Sequence, residues 1–317
     1  MPKRNARTSA ALTLLRPALA LCLLLTALLL PPSRSVVSSA QDDEPVRVNS
    51  DLVVLNVTVT DKHNAYVHGL KRADFKIFED GQEPEQTIVS FGEEETPFAA
   101  ALLLDISGSM DGRMSLARSA AIRFLDGLRT DDTVAVYTFH TEVKQMQDYA
   151  YTRDLAPLIY GVNADGMTVL NDAVVRAARD LTNRPEKRRA IVVLSDGADT
   201  HSKASADKAL NTALAANATL YTVDLADPYA RTNDAMVSSG ALKTFATRSG
   251  GRYLSTLGGQ ELREAFASVV EELSNQYTIG YRPRNRARDG RWRTIEIKLA
   301  REGLTARTRR GYRAPKD

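Results

Sequence analysis

Two fully apolar segments constrain the fold of this chain more than any other feature of its sequence. Ala99–Leu104 leads directly into Asp105, and Ala190–Leu194 leads into Ser195 and Asp196. A strand buried on both faces of a parallel sheet has such a continuous apolar sequence, whereas a strand with one face in water alternates. Helical patterns separate these strands. This alternation predicts an α/β fold with an open, doubly wound and mostly parallel sheet.

The sequence on either side of this region has a period of two, which is typical of β-strands. The alternate positions of Val53–Val59 are valine or leucine. In the second flank, strand patterns are found at Tyr277–Tyr281, Arg293–Leu299 and Thr305–Arg310, with Asp289-Gly290 at a predicted hairpin turn. Neither flank is long enough to cover two sheet faces by itself. We therefore predict a small β-sandwich domain built from residues 46–97 and 276–313, into which a domain of residues 98–275 is inserted.

Residues 1–40 have the composition of an export signal rather than of a domain. Their basic residues have no acidic counterpart, and an apolar run, Ala18–Leu30, is followed by two prolines. The run is about 13 residues long, shorter than the roughly 20 that span a bilayer, and Ser38-Ser39-Ala40 offers small residues for cleavage. We expect a signal peptide, no transmembrane span in the mature chain, and a periplasmic, cell-surface or secreted location. The alternative is an uncleaved N-terminal anchor.

Removal of this leader would change the charge and the cysteine content of the chain. The formal net charge of +3 would become −2, because the leader holds five basic residues and no acidic one. The basicity that would suggest a nucleic-acid partner is thereby lost, and we expect no such partner. The single cysteine, Cys22, lies in the apolar run, so we expect no disulfide in the mature chain. A lipid anchor at Cys22 is disfavoured because Leu21 precedes it where a small residue is needed.

Three loop motifs carry oxygen atoms that suit a metal ion. They are Asp105-Ile106-Ser107-Gly108-Ser109, Gly166-Met167-Thr168 before a helix, and Ser195-Asp196-Gly197. Ligands of open α/β sheets bind beyond the carboxyl ends of the strands, so we expect these loops to meet there. Two carboxylates and three hydroxyls favour Mg²⁺, Mn²⁺ or Ca²⁺ over zinc or copper. Two carboxylates carry too little negative charge to enclose a divalent ion. A coordination position would therefore stay open for water or for an acidic group of a partner.

These motifs, in this order, resemble the metal-ion-dependent adhesion site of von Willebrand factor type A (VWA) domains. The resemblance covers roughly residues 97–275. It implies Ser107, Ser109 and Thr168 as direct metal ligands, and Asp105 and Asp196 as ligands that bind directly or through water. It also implies that a carboxylate from a binding partner completes an octahedral shell.

The flanks are similar to those of the exported VWA-related proteins abundant in Acidobacteria. The similar segments are Leu70–Phe75 and Phe78–Gly81 in the first flank, and Tyr281-Arg282-Pro283 and Arg310-Gly311-Tyr312 in the second. This second resemblance indicates the fold more than the function.

The function predicted from these features is a non-enzymatic adhesion or scaffolding module that binds a protein through an Asp or Glu carboxylate. An anionic envelope polymer is a second candidate partner, since residues 282–313 hold twelve basic and three acidic side chains. The alternative is a metal-dependent hydrolase with Asp105 as nucleophile or with a metal-activated water at the same strand ends. The sequence has no Gly-x-Ser-x-Gly elbow and no Walker loop, which disfavours that alternative.

Three further interpretations stay open from the sequence. The two serines after Asp105 could cap a helix instead of binding a metal. Asp111 could hold a second cation or be a solvated loop residue. The last helix of the inserted domain, Glu261–Leu273, runs almost directly into the strand at Tyr277. A shift of this helix on ligand binding, as in related VWA domains, would reorient the two domains, whereas tight packing would hold it fixed.

Overall fold

The computed structural model describes residues 52–83, 88–92, 96–196, 199–226, 233–256 and 258–316, without the side chains of Leu158 and residues 233–238. The predicted leader, Cys22 and Gly197 lie outside the described residues. The strands of the described part are β1 (Val53–Thr60), β2 (Phe75–Glu79), β3 (Ile88–Gly92), β4 (Phe98–Asp105), β5 (Thr133–Phe139), β6 (Val143–Ala150), β7 (Arg188–Ser195), β8 (Ala218–Asp224), β9 (Tyr253–Ser255), β10 (Tyr277–Tyr281), β11 (Trp292–Leu299), β12 (Thr305–Arg307) and β13 (Gly311–Arg313). The α-helices are α1 (Met114–Asp126), α2 (Leu170–Thr182), α3 (Ala206–Ala215), α4 (Asn233–Ser249) and α5 (Gly259–Ser274).

A six-stranded, mostly parallel sheet with the order β6-β5-β4-β7-β8-β9 lies at the centre of the α/β region. Strands β4 and β7 are adjacent and parallel, and every residue of β4 is buried. The predicted α/β fold is thus confirmed. The sequence did not indicate β6, which pairs antiparallel with β5 at the edge of the sheet. It also did not indicate α4, whose many serine and threonine residues obscure a helical pattern.

Helices cover both faces of this sheet, as a doubly wound fold requires. Helices α1 and α5 pack on one face, where the rings of Phe124 and Phe266 meet edge to face with their centroids 6.1 Å apart. Helices α2, α3 and α4 pack on the other face. The side chain of Ser205 caps α3 by accepting a hydrogen bond of 3.2 Å from the Lys208 amide. None of the helices in the described part has both the length and the apolar character that a membrane span needs.

The flanking strands form two further antiparallel sheets that share one apolar core. Their orders are β12-β1-β10-β3 and β13-β11-β2. The alternation in β1 has the expected result, since Val53, Leu55, Val57 and Val59 are all buried. Strand β1 from the first flank pairs with β10 from the second. The division into domains at residues 97/98 and 275/276 stays a prediction.

Two details of the second flank differ from the sequence-based expectation. Asp289-Gly290 was expected at the turn of a hairpin, but β10 and β11 belong to different sheets and do not pair. The predicted strand from Thr305 to Arg310 is two short strands in separate sheets, because the chain crosses from one sheet to the other after Arg307. Local alternation cannot distinguish one strand from two that change sheets.

A buried polar network joins the end of α5 to the flanking sheets. The Glu272 side chain is fully buried and accepts hydrogen bonds from the hydroxyls of Thr58 at 3.1 Å and Tyr221 at 2.9 Å. It also pairs with the Arg307 guanidinium at 2.5 Å. The Gln276 amide donates to the Thr58 and Tyr221 hydroxyls, at 3.2 and 3.0 Å. One helix, two flanking strands and one strand of the central sheet therefore meet at a single carboxylate.

Arg188, at the start of β7, makes a second buried link to the flanks. Its side chain is fully buried, and Nε donates to the Thr278 hydroxyl at 2.9 Å. The two terminal nitrogens donate to backbone carbonyls, Nη1 to Thr96 at 3.2 Å and Nη2 to Gln276. A buried cation is stabilised only if such acceptors surround it, so this arginine depends on both flanks.

Candidate metal centre

Two adjacent parallel strands bring the predicted carboxylates to one edge of the central sheet. The pairing of Leu104 with Leu194 places the carboxyl ends of β4 and β7 side by side. Asp105, at the end of β4, is fully buried. The Ser195 hydroxyl, at the end of β7, donates to Asp105 Oδ2 at 2.5 Å and links the two strand ends. Ser195 belongs to the third loop motif but was not among the five predicted ligands, because its contact with Asp105 joins segments that are distant in the sequence.

The loop after β4 turns back on itself and connects the two predicted serines with Asp196. The Ser107 amide donates to Asp105 Oδ1 at 2.9 Å, and the Ser107 and Ser109 hydroxyls lie 3.1 Å apart. The Ser109 hydroxyl donates to Asp196 Oδ1 at 2.7 Å. Ser107 is buried, whereas Ser109 is exposed. Four of the five predicted residues are therefore connected by side-chain or backbone hydrogen bonds across this edge of the sheet.

Thr168 reaches the same edge by a route that the sequence did not predict. Because β6 is antiparallel, it ends near the amino ends of the parallel strands. Residues 151–169 bring the chain back to their carboxyl ends. The returning loop is tied to the first loop by backbone hydrogen bonds from Gly108 to Gly166 at 3.1 Å and from Asp165 to Ile106 at 2.9 Å. Gly166 has a φ of +77°, and a Cβ there would lie 2.5 Å from the Thr141 hydroxyl oxygen. Glycine is therefore needed at this turn.

The backbone of Thr168 is fixed by the segment that follows Asp196. The Thr168 amide donates to the Thr200 hydroxyl at 3.0 Å, and its carbonyl accepts from the amides of Thr200 and His201 at 2.9 and 3.1 Å. Thr168 is only 5% exposed. Within the described residues, its hydroxyl makes no hydrogen bond with the other four predicted ligands.

Two acidic residues that the sequence reasoning did not assign organise the start of α2. Asp199 accepts from the Asn171 amide at 2.7 Å and from the Ser202 amide at 3.1 Å. Asp172 accepts from the amides of Lys203 and Ala204, both at 2.9 Å. These carboxylates therefore act as loop and helix caps and hold the loop that carries Thr168. Only their contacts across the fold reveal this role.

The electrostatics of the site concern two carboxylates and one arginine. The pKa of Asp105 is raised to about 6, chiefly by burial and in smaller part by the nearby Asp196, against the hydrogen bonds of Ser195 and Ser107. The side chain of Asp196 is 2% exposed and is in contact with the guanidinium of Arg113. Arg113 lies just before α1, and no sequence motif indicated that it belongs to this site. It supplies the one cationic side chain in contact with this pair among the described residues.

No group of three or more His, Cys, Asp or Glu side chains is gathered for a metal in the described part of the chain. The predicted set contains only two such side chains, and its other members are hydroxyls.

Residues 100–198 match the family model of the von Willebrand factor type A domain. All five predicted site residues lie within this span. The chain is 30% identical over 115 residues to inter-alpha-trypsin inhibitor heavy chain H3 of Mesocricetus auratus, a match that covers 32% of this chain and 13% of that protein. It is also 30% identical over 110 residues to an uncharacterised protein of Synechocystis sp., covering 33% of this chain and 26% of that protein. The chain thus spans 26% or less of the length of these curated relatives.

Two solved structures are also similar. One is a von Willebrand factor type A protein from Catenulispora acidiphila, with 14% identity, a TM-score of 0.48, and coverage of 85% of this chain and 75% of that one. The other is the vWF domain of the type V pili tip protein Mfa5 from Porphyromonas gingivalis, with 13% identity, a TM-score of 0.47, and coverage of 56% and 95%. The match over residues 100–198, which contains the three loop motifs, shows that this chain carries a von Willebrand factor type A domain.

Proposed function

We propose that this protein is an exported binding module that uses a divalent cation to hold a partner protein. The cation, Mg²⁺, Mn²⁺ or Ca²⁺, would be bound by Asp105, Ser107, Ser109, Thr168 and Asp196. The partner would contribute an Asp or Glu carboxylate. A β-sandwich of residues 46–97 and 276–313 would carry the VWA domain of residues 98–275.

The observation that carries this proposal is the hydrogen bond between Ser109 and Asp196, which come from different loops. In a helix cap, a serine hydroxyl accepts from a nearby backbone amide. Ser107 precedes the short helical turn Gly108–Met110 but makes no such side-chain contact. Ser109 instead points its hydroxyl at a carboxylate 87 residues away. This arrangement favours a ligand site over a cap.

The donor set fits a hard cation. Every member offers oxygen, and the two carboxylates bring a charge of only −2, too little to enclose a divalent ion without further ligands. Bound there, the cation would supply a positive charge able to accept a carboxylate from outside. Ser109 is the exposed member, so the chain leaves the site accessible on that side. Asp105 is buried beneath it and is held in place by Ser107 and Ser195.

The geometry disfavours the hydrolase alternative in its nucleophilic form. A nucleophilic Asp105 would need a free oxygen facing a substrate. Both of its carboxylate oxygens accept hydrogen bonds, and the residue is fully buried. The binding role is therefore the better supported of the two.

Affinity capture tests the proposed function. The chain without residues 1–40 is immobilised and exposed to an envelope extract in Mg²⁺ and, separately, in EDTA. We expect a protein that is retained only in Mg²⁺ and is not retained by a Thr168→Ala variant. The control variant Asp126→Ala, which changes an exposed residue at the end of α1, should still retain this protein. Equal binding of the same proteins in EDTA would contradict the proposal that a metal bridges the chain to its partner.

A further inference from the structure

A pocket of about 250 Å³ lies at the amino ends of the parallel strands, opposite to the candidate metal centre at their carboxyl ends. Its walls include the end of α3, the start of β1, the loop before β11 and the segment around β13. Asn217, one of its lining residues, directly precedes β8 and so lies at the amino end of the parallel strands. Asp105 and Asp196 lie at their carboxyl ends. The pocket is therefore separate from the site described above.

Arg309 lines this pocket and is 8% exposed. Its Nη1 donates to the Leu214 carbonyl at 3.1 Å and to Asn217 Oδ1 at 3.0 Å, and its Nη2 donates to the Val54 carbonyl at 2.9 Å. All these acceptors are neutral. Among the described residues, no carboxylate forms an ion pair with Arg309, and its buried Nε has no hydrogen-bond partner.

Such an arrangement is costly for the folded protein. A buried guanidinium is normally paired with a carboxylate, because the loss of hydration has to be offset by an opposite charge. Here burial lowers the pKa of Arg309 to about 10, and the nearby phenol groups of Tyr281 and Tyr312 oppose this shift only in part. Arg188 is also buried, and its guanidinium donates to the Thr278 hydroxyl and to the backbone carbonyls of Thr96 and Gln276. Arg309, by contrast, has a buried Nε–H without a hydrogen-bond partner in the described part of the chain.

The other charged side chains described around the pocket have the same sign. Arg286, Arg288 and Arg313 also line it, and its described lining holds no aspartate or glutamate. Low-dielectric walls lined by charges of one sign concentrate the electrostatic potential inside a cleft. The rest of the lining is largely apolar and includes Leu214, Pro283 and Ala314.

We propose that this pocket binds a small organic oxyanion, a carboxylate or a phosphate carried on an apolar body. Among the described residues, Nη2 of Arg309 has one acceptor, the Val54 carbonyl, so its second N–H can donate to an oxygen of the ion, which would supply the missing counter-charge. The arginines at the rim attract the anion, and the apolar wall accommodates the remainder of the molecule. This site does not depend on the metal centre.

Calorimetric titration with phenyl phosphate and with benzoate, in the presence of EDTA, tests this proposal. We expect saturable binding of at least one of the two, and none of benzyl alcohol, which has the apolar body without the charge. The double variant Arg286→Gln/Arg313→Gln should weaken binding at least tenfold. A control, Arg301→Gln, removes an exposed arginine that does not line the pocket and should change the affinity less than twofold.

A second measurement concerns Arg309 itself and avoids the risk that its substitution unfolds the protein. In a ¹H–¹⁵N spectrum of the unsubstituted chain, the Arg309 Nε–H resonance should shift in proportion to occupancy. An absence of saturable binding at low millimolar concentrations would overturn the proposal. Equal weakening by the rim variant and by Arg301→Gln would overturn it too, because attraction to overall charge would then explain the data.

Discussion

The Ser109 hydroxyl donates a hydrogen bond of 2.7 Å to Asp196 Oδ1, and the other oxygen of the same carboxylate contacts the Arg113 guanidinium. A predicted ligand of the cation is thus held between a predicted co-ligand and a positive charge of the protein. The arginine side chain is 37% exposed, so it can leave the site at little cost. The Asp196 side chain is only 2% exposed and cannot easily leave the site.

We therefore expect Arg113→Gln to increase the affinity of the chain for Mg²⁺ or Mn²⁺. A cation entering the site would compete with the guanidinium for Asp196, and a partly exposed ion pair contributes up to about 1 kcal/mol, which corresponds to roughly fivefold in affinity. Calorimetric titration of both forms measures the change. Arg118→Gln in α1 is the matched control, since Arg118 donates instead to the carbonyls of Ile159 and Val162. An affinity lowered by Arg113→Gln would mean that the arginine supports the site.

The buried network at the end of α5 gives a prediction about stability. Glu272→Ala should lower the free energy of unfolding by about 2–3 kcal/mol, because it leaves Arg307 and two hydroxyls without their shared acceptor. This cost is no larger than the low end of the range for breaking a fully buried ion pair, because the Arg307 side chain is 34% exposed. Glu271→Ala, at the exposed neighbouring position, should cost less than about 0.5 kcal/mol. Urea unfolding curves of the two variants make the comparison, and equal costs would contradict a special role for Glu272.

The same network bears on whether ligand binding moves the last helix. Glu272 connects α5 to β1 and β12, so a sliding helix would have to break several buried hydrogen bonds together. We expect α5 to stay fixed. Spin labels at Ser255 and Lys62, both exposed, should show the same distance distribution with Mg²⁺ alone and with Mg²⁺ plus an acidic peptide. A shift of the distribution would favour the coupled movement instead.

The predicted domain division is tested by expression of its parts. Residues 98–275 should fold alone, because both faces of the central sheet are covered by their own helices. They should be less stable than the same residues in the whole chain, since Arg188 and Glu272 would lose their partners in the flanks. Residues 46–97 alone should be disordered, because β1 would lack its partner β10. A well-dispersed NMR spectrum from that fragment would contradict the division.

How far the sequence predicted this protein depends on the range of each interaction. Apolar runs and loop motifs are local, so they indicated the parallel strands and the positions of Asp105 and Asp196. Contacts between distant segments left no such pattern. Glu272 stands next to the apolar positions of an amphipathic helix, where the sequence predicts an exposed charge. It is nevertheless buried, because Arg307 reaches it from β12. Arg113 and Ser195 likewise belong to the site only through residues more than 80 positions away.

The central claim, a divalent-cation site at the strand ends, is tested most directly by calorimetric titration of Mg²⁺ or Mn²⁺ into the chain and two of its variants. Asp105→Ala and Thr168→Ala should each abolish binding and leave the circular dichroism spectrum unchanged, because Asp105 is the last residue of β4 and Thr168 lies in a loop. Asp126→Ala, an exposed aspartate at the end of α1, should bind as the original chain does. A cation at one hundred times its dissociation constant should also add about 2.7 kcal/mol to the stability of the original chain only. Unchanged affinity in both Asp105→Ala and Thr168→Ala would contradict the assignment.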